Sequence, residues 1–281
     1  MDPLASTAWL ADHLTDPAVQ VVDATWFMPG GRRTGAAAYA EAHIPGAVFF
    51  DIDAVADHDT DLPHMLPRPD AFAAAASRLG LRREATVVVY DAQGIFSAPR
   101  VWWTLRTMGF PQVRVLDGGL KTWRAEGRPV ETAAAAPAPS SLAPAFEPAL
   151  VRSLDDMRRI LAAGEAQVVD ARAGDRFRGE APEPRPGLRS GHMPGACNLA
   201  WNALVNPDGT MKDAAGLEAA FAEAGVDLDR PIVTTCGSGV SAATLALGLA
   251  RLGRQDVAVY DGSWTEWAGR SDTEVVTGPA R

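Results

Sequence analysis

Only two cysteines occur in 281 residues, Cys197 and Cys236, and they stand apart in the chain. A disulfide framework and a zinc cluster of the CxxC type are thereby excluded, so each thiol has to be read alone. Runs of Lys and Arg are missing, and the formal net charge is −9. A phosphate backbone needs a basic face, which sets nucleic acid aside as a partner. No apolar run approaches the roughly 18–20 residues of a membrane span, so no membrane partner is expected. The first residues, "MDPLASTAWLADHL", carry an acid at Asp2 and lack the basic flank and apolar stretch of an export signal, which makes the cytoplasm the expected location. What is present is a globular composition, 47% hydrophobic and 22% charged. The chain is long enough for two cores of ordinary size.

The sequence repeats itself once. "STAWLADHLTDPAVQVVDA", from Ser6, is answered by "SLDDMRRILAAGEAQVVDA", from Ser153; "AHIPGA" around His43 is answered by "GHMPGA" around His192. "VLDGGLKTWRAEG" recurs as "VYDGSWTEWAGR", with Asp117 matching Asp261, so order and spacing are both kept. Each copy reads as a helix capped by Ser6 or Ser153, a strand, a loop with the HxPGA turn, and a helix ending near Gly80 or Gly225. A continuous β-branched strand follows ("ATVVVYD", "RPIVTTC"), then a helix running to Gly109 or Gly253, then a last strand ("VRVLD", "VAVYD"). Strands alternating with helices predict α/β domains, each a mainly parallel sheet with helices on both faces, here in tandem. The Ala/Pro/Ser-biased stretch between the copies reads as an extended connector. The expected organisation is a first domain over 1–131, a linker over 132–150 and a second domain over 151–281.

One difference between the copies carries chemistry. Asp91 in "VVVYDAQGIFSAPR" occupies the place that Cys236 holds in "IVTTCGSGVSAAT". In an α/β sheet the loop after a strand's carboxyl end is the usual site position, and the next helix offers unpaired N–H groups there. Gly237 and Gly239 permit positive φ, so successive amides can turn inward as a nest for an anion, and the helix starting near Ser241 adds its positive dipole end. Both effects favour an anionic sulfur over a thiol packed as a small hydrophobe. A phosphatase of the cysteine type needs an arginine six residues after the nucleophile, where this chain has Ala242. A thiolate attacking something other than phosphorus remains.

"CGSGVSA", the tandem HxPGA turns, "SAPRVWW" from Ser97 and "YDGSWTEW" from Tyr260 together resemble the two-domain rhodanese superfamily over essentially the whole chain. Within it they most resemble the branch that takes sulfur from 3-mercaptopyruvate, because the thiosulfate-preferring branch usually has basic residues where this chain has Gly237 and Ser238. Ser241 stands where relatives often carry threonine and keeps the hydroxyl. The resemblance implies a sulfurtransferase acting through a Cys236 persulfide, releasing pyruvate and passing sulfur to cyanide, small thiols or a thioredoxin-like acceptor. Amides of Gly237, Ser238, Gly239, Val240 and Ser241 would hold the substrate sulfur. A donor carboxylate suits arginine's planar fork, and the resemblance maps the family's pair onto Arg176 of "RFRG" and Arg185 of "EPR". It also maps a Ser/His/Asp proton relay onto Ser238, His64 of "HMLP" and Asp53 of "DID", although the residues alone equally allow an N-cap at Asp53 and a loop role for His64. No metal or organic cofactor is needed for this chemistry, and a monomer is expected.

Other residues take structural readings. His43 and His192 fix their turns by hydrogen bonds, and Trp102, Trp103, Trp123, Trp264 and Trp267 fill core and interdomain surface. Cys197 reads as a buried strand thiol, and Arg178 and Arg189 as solvated. The arginine pairs at Arg32, Arg82 and Arg158 read as solvated faces. Two alternatives stay open: a thiosulfate:cyanide sulfurtransferase, and a non-catalytic sulfur carrier or partner-binding module, the latter plausible for the cysteine-free first half.

Overall fold

The computed structural model describes residues 2–280 apart from 29 and 32, so Arg32 lies outside the described residues. The chain divides into two compact units. The first contains Met1–His58, Leu66–Glu147 and Asn206–Met211; the second contains Asp59–Met65, Pro148–Val205 and Lys212–Arg281.

The first unit runs β1 (Leu4–Ala5), α1 (Thr7–His13), β2 (Val19–Asp23), α2 (Gly35–Glu41), β3 (Val48–Phe49), α3 (Pro69–Arg78), β4 (Thr86–Tyr90), α4 (Ala98–Thr107), β5 (Val113–Leu116) and α5 (Gly119–Ala125). The second runs β6 (Val151–Arg152), α6 (Leu154–Ala163), β7 (Gln167–Asp170), α7 (Gly174–Arg178), β8 (Cys197–Asn198), α8 (Ala214–Glu223), β9 (Ile232–Thr235), α9 (Ala242–Arg251), β10 (Ala258–Tyr260) and α10 (Ser263–Gly269). The five-stranded sheets have matching orders, β1-β5-β4-β2-β3 and β6-β10-β9-β7-β8. Among the described residues, every pairing between these ten strands is parallel. This is the tandem α/β fold that the alternating pattern predicts. Among the described residues no helix is long and apolar enough to cross a membrane.

The local causes match between the copies. Ser6 Oγ accepts from Trp9 N–H at 3.1 Å and starts α1, while Ser153 and Asp156 form a reciprocal capping box on α6. Strands β4 and β9 supply "TVVVY" and "IVTT", buried at nearly every position. The helices that follow them, α4 and α9, are buried almost all round. In α9, Gly248 lets the helix lie against the 3₁₀ turn Trp201–Leu204, since a Cβ there would stand 2.9 Å from Leu204 Cδ1. Trp102, Trp103, Trp123, Trp264 and Trp267 are all buried. His43 Nδ1 donates to Tyr39 O at 2.7 Å and His192 Nδ1 to Phe177 O at 2.9 Å, each ring stacked on the aromatic residue whose carbonyl it binds. Burial holds the His192 imidazole below its ordinary pKa, against the opposing pull of its hydrogen bond to Phe177 O.

The connector is extended and pinned to the first unit. Ser140 N–H donates to Ser77 O at 2.9 Å, Arg83 Nη2 to Ala143 O at 2.7 Å, and Glu147 N–H to Thr107 O at 2.7 Å. Segment Asn206–Met211 belongs to the first unit through its own bonds: Met211 N–H donates to Asp117 Oδ1 at 2.7 Å, and Lys121 Nζ to Pro207 O at 2.7 Å.

Candidate active site

Strand β9 ends at Thr235, and Cys236, 2% exposed, opens the loop that leads into α9. Gly239 adopts φ 82°, a conformation that would strain any residue with a Cβ, and this turns its N–H back onto Cys236 Sγ at 3.1 Å. Gly237 has no such φ; its role is different from the one expected. A Cβ at Gly237 would stand 3.2 Å from Arg176 Nη2, so glycine is there to let a guanidinium approach the residue after the cysteine. Ser238 and Val240 are buried, Ser241 is the N-cap residue of α9, and the helix begins one residue later at Ala242.

The loop rests on the start of α10. Trp264 N–H donates to Cys236 O at 2.9 Å, and Thr265 donates to Gly237 O from both N–H, at 3.0 Å, and Oγ1, at 2.6 Å. This support requires a left-handed residue just before Trp264, and Ser263 takes it with φ 52°, its Oγ donating to Tyr260 O at 2.8 Å. The first unit meets the same requirement with Gly119 at φ 55°, where Leu120 N–H donates to Asp91 O at 3.0 Å.

The two strand ends therefore share a frame and differ in what fills it. Asp91 Oδ2 accepts the N–H groups of Phe96, Ser97 and Ala98 at 2.8, 2.9 and 2.9 Å, and Oδ1 accepts Gln93 N–H at 2.8 Å. The amide nest of the first unit is thus closed by the protein's own carboxylate. In the second unit a sulfur takes that place.

Arg176 lies on α7 and belongs to a buried line of alternating charge that the sequence reading missed. Its Nη2 donates to Glu183 Oε2 at 2.5 Å; Glu183 Oε1 accepts from Arg172 Nη1 at 2.7 Å; Arg172 Nη2 donates to Asp170 Oδ2 at 2.7 Å and to Gly191 O at 2.8 Å. The Arg172 guanidinium also sits 4.2 Å from the Trp264 ring centroid. Burial opposes a charged Arg172, but Asp170 and Glu183 outweigh it and hold its pKa above the ordinary value. The one available signal was a difference between the copies: "VVDAR" against "VVDAT" puts Arg172 where the first copy has Thr25. Asp23, lacking that arginine, has its carboxyl pushed up by burial.

Arg185 Nη2 stands 3.3 Å from His64 Nε2. His64 is buried, has φ 62°, and reaches this arginine because Asp59–Met65 belongs to the second unit. Asp53 belongs to the first unit, where its Oδ2 accepts Trp26 Nε1–H at 2.9 Å, a tertiary bond in place of an N-cap role. Arg178 is solvated and pairs with Glu180 at 2.6 Å. Arg189 corrects the expectation of a solvated side chain: it donates to the carbonyls of Trp267, Ala268, Arg270 and Thr273 and ties down the end of α10. Cys197 is half-buried on β8 rather than fully buried, because β8 is the edge strand of its sheet; partial burial pushes its thiol pKa up.

Comparison with known proteins follows the same division. The profile of the rhodanese-like domain matches residues 6–126 and again residues 153–270. The chain is 46% identical over 268 residues to a 3-mercaptopyruvate sulfurtransferase of Escherichia coli (strain K12), covering 95% of both chains. It is 42% identical over 284 residues to a 3-mercaptopyruvate sulfurtransferase of Homo sapiens, covering 99% of this chain and 96% of the relative. Its structure resembles the crystal structure of SseA from Escherichia coli, described as a 3-mercaptopyruvate sulfotransferase, with a TM-score of 0.87 and coverage of 94% of this chain and 99% of that one. Two profile matches, one to each half, and near-full-length identity make this chain a member of the rhodanese-like family, with the domain present in tandem.

Proposed function

We propose that the chain is a 3-mercaptopyruvate sulfurtransferase working by double displacement, with its catalytic domain over 151–281, a cysteine-free domain over 1–131 and the linker 132–150 between them. The observation that carries the reading is a cysteine sulfur receiving the Gly239 N–H at 3.1 Å in a loop whose next residue abuts the Arg176 guanidinium. A nucleophile and a carboxylate partner are then neighbours.

In the first half-reaction the Cys236 thiolate attacks the donor's thiol sulfur. The S–S bond forms, the C–S bond breaks, and its electron pair leaves on carbon as the enolate of pyruvate, which is then protonated. The outer sulfur stays on Cys236 as a persulfide held by amides of the 237–241 loop. Arg176 and Arg185 bind the donor carboxylate as a planar fork. Ser238 and His64 supply the proton for the departing enolate. In the second half-reaction a thiolate or cyanide takes the outer sulfur and restores the Cys236 thiolate. The setting is a cytoplasmic monomer with a thiol or thioredoxin-like acceptor.

Intact mass after incubation with 3-mercaptopyruvate tests this: the wild type should gain one sulfur atom and Cys236→Ser none. An unmodified wild type overturns the mechanism. Arg176→Ala and Arg185→Ala should each raise KM for 3-mercaptopyruvate by at least about tenfold, the loss of one charge-assisted contact; an unchanged KM removes that residue from the clamp. Comparing kcat/KM for 3-mercaptopyruvate and thiosulfate decides between the two donors.

A further inference from the structure

Four ionised side chains stand in line behind the cysteine loop: Asp170, Arg172, Glu183 and Arg176, alternating in sign. Three are sealed from solvent, with side-chain exposures of 2% for Asp170, 1% for Arg172 and 2% for Glu183; Arg176, at 23%, is the end that opens outward. Their formal charges cancel. Glu183 is the link between the buried pair and the open end, since its Oε1 accepts Arg172 Nη1 and its Oε2 accepts Arg176 Nη2.

Glu183 has two consequences for whatever approaches Gly237. It grips Arg176 along one edge, through Nη2 at 2.5 Å and Nε at 3.4 Å, which fixes the plane of the guanidinium and leaves its outer edge facing away from the carboxylate. It also offsets the positive charge that Arg176 would otherwise present beside the cysteine loop. A planar monocarboxylate is recognised by the fixed fork. A dianion depends more on net positive charge, and it feels the neighbouring carboxylate twice as strongly as a monoanion does at equal distance.

We propose that Glu183 is a positioning residue that sets donor choice: by orienting Arg176 and neutralising its charge, it favours a sulfur donor bearing one planar carboxylate over a dianionic donor. This rests on the sulfurtransferase reading above. Arg172 and Asp170 hold Glu183 from behind, and the Arg172 contact with Trp264 joins the line to the helix that supports Cys236 O.

The test uses the full chain with Glu183→Gln and Glu183→Asp, cyanide as acceptor, and 3-mercaptopyruvate and thiosulfate as donors. Glu183→Gln removes the charge and keeps an acceptor atom; the ratio of kcat/KM for 3-mercaptopyruvate to that for thiosulfate should fall by about tenfold. The change should enter through a higher KM for 3-mercaptopyruvate, as the fork loses its orientation, and a lower KM for thiosulfate, as the site gains net positive charge, with kcat for 3-mercaptopyruvate within about threefold of wild type. Glu183→Asp keeps the charge but shortens the grip, so KM for 3-mercaptopyruvate should rise severalfold and the donor ratio should fall by clearly less than in Glu183→Gln. Equal losses for both donors in Glu183→Gln, or an equal ratio shift in Glu183→Asp, overturns the proposal. Where Glu183→Gln does not fold, Glu183→Asp decides alone: a severalfold higher KM for 3-mercaptopyruvate at unchanged kcat supports the proposal, and an unchanged KM overturns it. Failure of the wild type to gain sulfur from 3-mercaptopyruvate refutes the underlying reading itself, whereas a wild type that gains sulfur alongside an unchanged donor ratio refutes only the role of Glu183.

Discussion

A methyl group at Gly237 would stand 3.2 Å from Arg176 Nη2, and because Gly237 does not need a left-handed backbone the strain falls on the guanidinium rather than on the loop. Gly237→Ala should therefore fold normally, with a melting temperature within about 3 °C of wild type, and raise KM for 3-mercaptopyruvate severalfold; steady-state kinetics beside a melting curve check both. Cys236 was legible in the sequence because its three signals are local: a β-branched strand, glycines, and a helix start. Asp91 was legible as a difference, but its meaning was not. Only the structure shows its carboxylate accepting four backbone N–H groups. Arg172 and Glu183 escaped the sequence reading because charged residues in loops are usually solvated, and these two pair with each other across 11 residues, with Glu183 also pairing with Arg176 across 7.

Among the elements, α6 shows how much a cap contributes. Ser153 Oγ accepts Asp156 N–H at 3.2 Å, and the Asp156 carboxylate accepts both Ser153 N–H at 3.0 Å and Ser153 Oγ–H at 2.7 Å. Ser153→Ala should cost about 1 kcal/mol, measured by urea unfolding near neutral pH. Ser153 holds the Asp156 carboxyl below the usual carboxylate range, first through its backbone N–H and then through its hydroxyl. A carboxyl with a depressed folded pKa stabilises the fold above its unfolded value, near pH 4, and that contribution disappears as pH falls through the folded value. The gap between wild type and Ser153→Ala should accordingly narrow below about pH 4, and a gap independent of pH would count against the capping box. Helix starts and strands were readable because caps and periodicity act over a few residues. The segments Asp59–Met65 and Asn206–Met211 were not, since each joins a unit otherwise built from the other half of the sequence.

For the molecule as a whole, each unit has its own apolar cluster, one around Val88, Tyr90 and Trp123, the other around Val233, Tyr260 and Trp264. Phe72 is 1% exposed in the first unit and packs on Phe50 and edge-on against Phe110. Phe72→Ala should cost about 3–5 kcal/mol, and hydrogen exchange should show lost protection in β4 and β5 with β9 and β10 retained. Equal loss in both sheets would mean a single cooperative unit. By itself the sequence determined the tandem α/β pattern, the strand and helix order, and the thiol at the end of β9, because patterning, caps and glycine turns are short-range effects. Tertiary structure alone decided that Gly237 serves Arg176, that Arg189 is a structural clamp, that His64 meets Arg185, and that Glu183 stands between two arginines. Those facts depend on which distant side chains exclude water from one another, and burial of that kind is set only when the sheets and helices have packed.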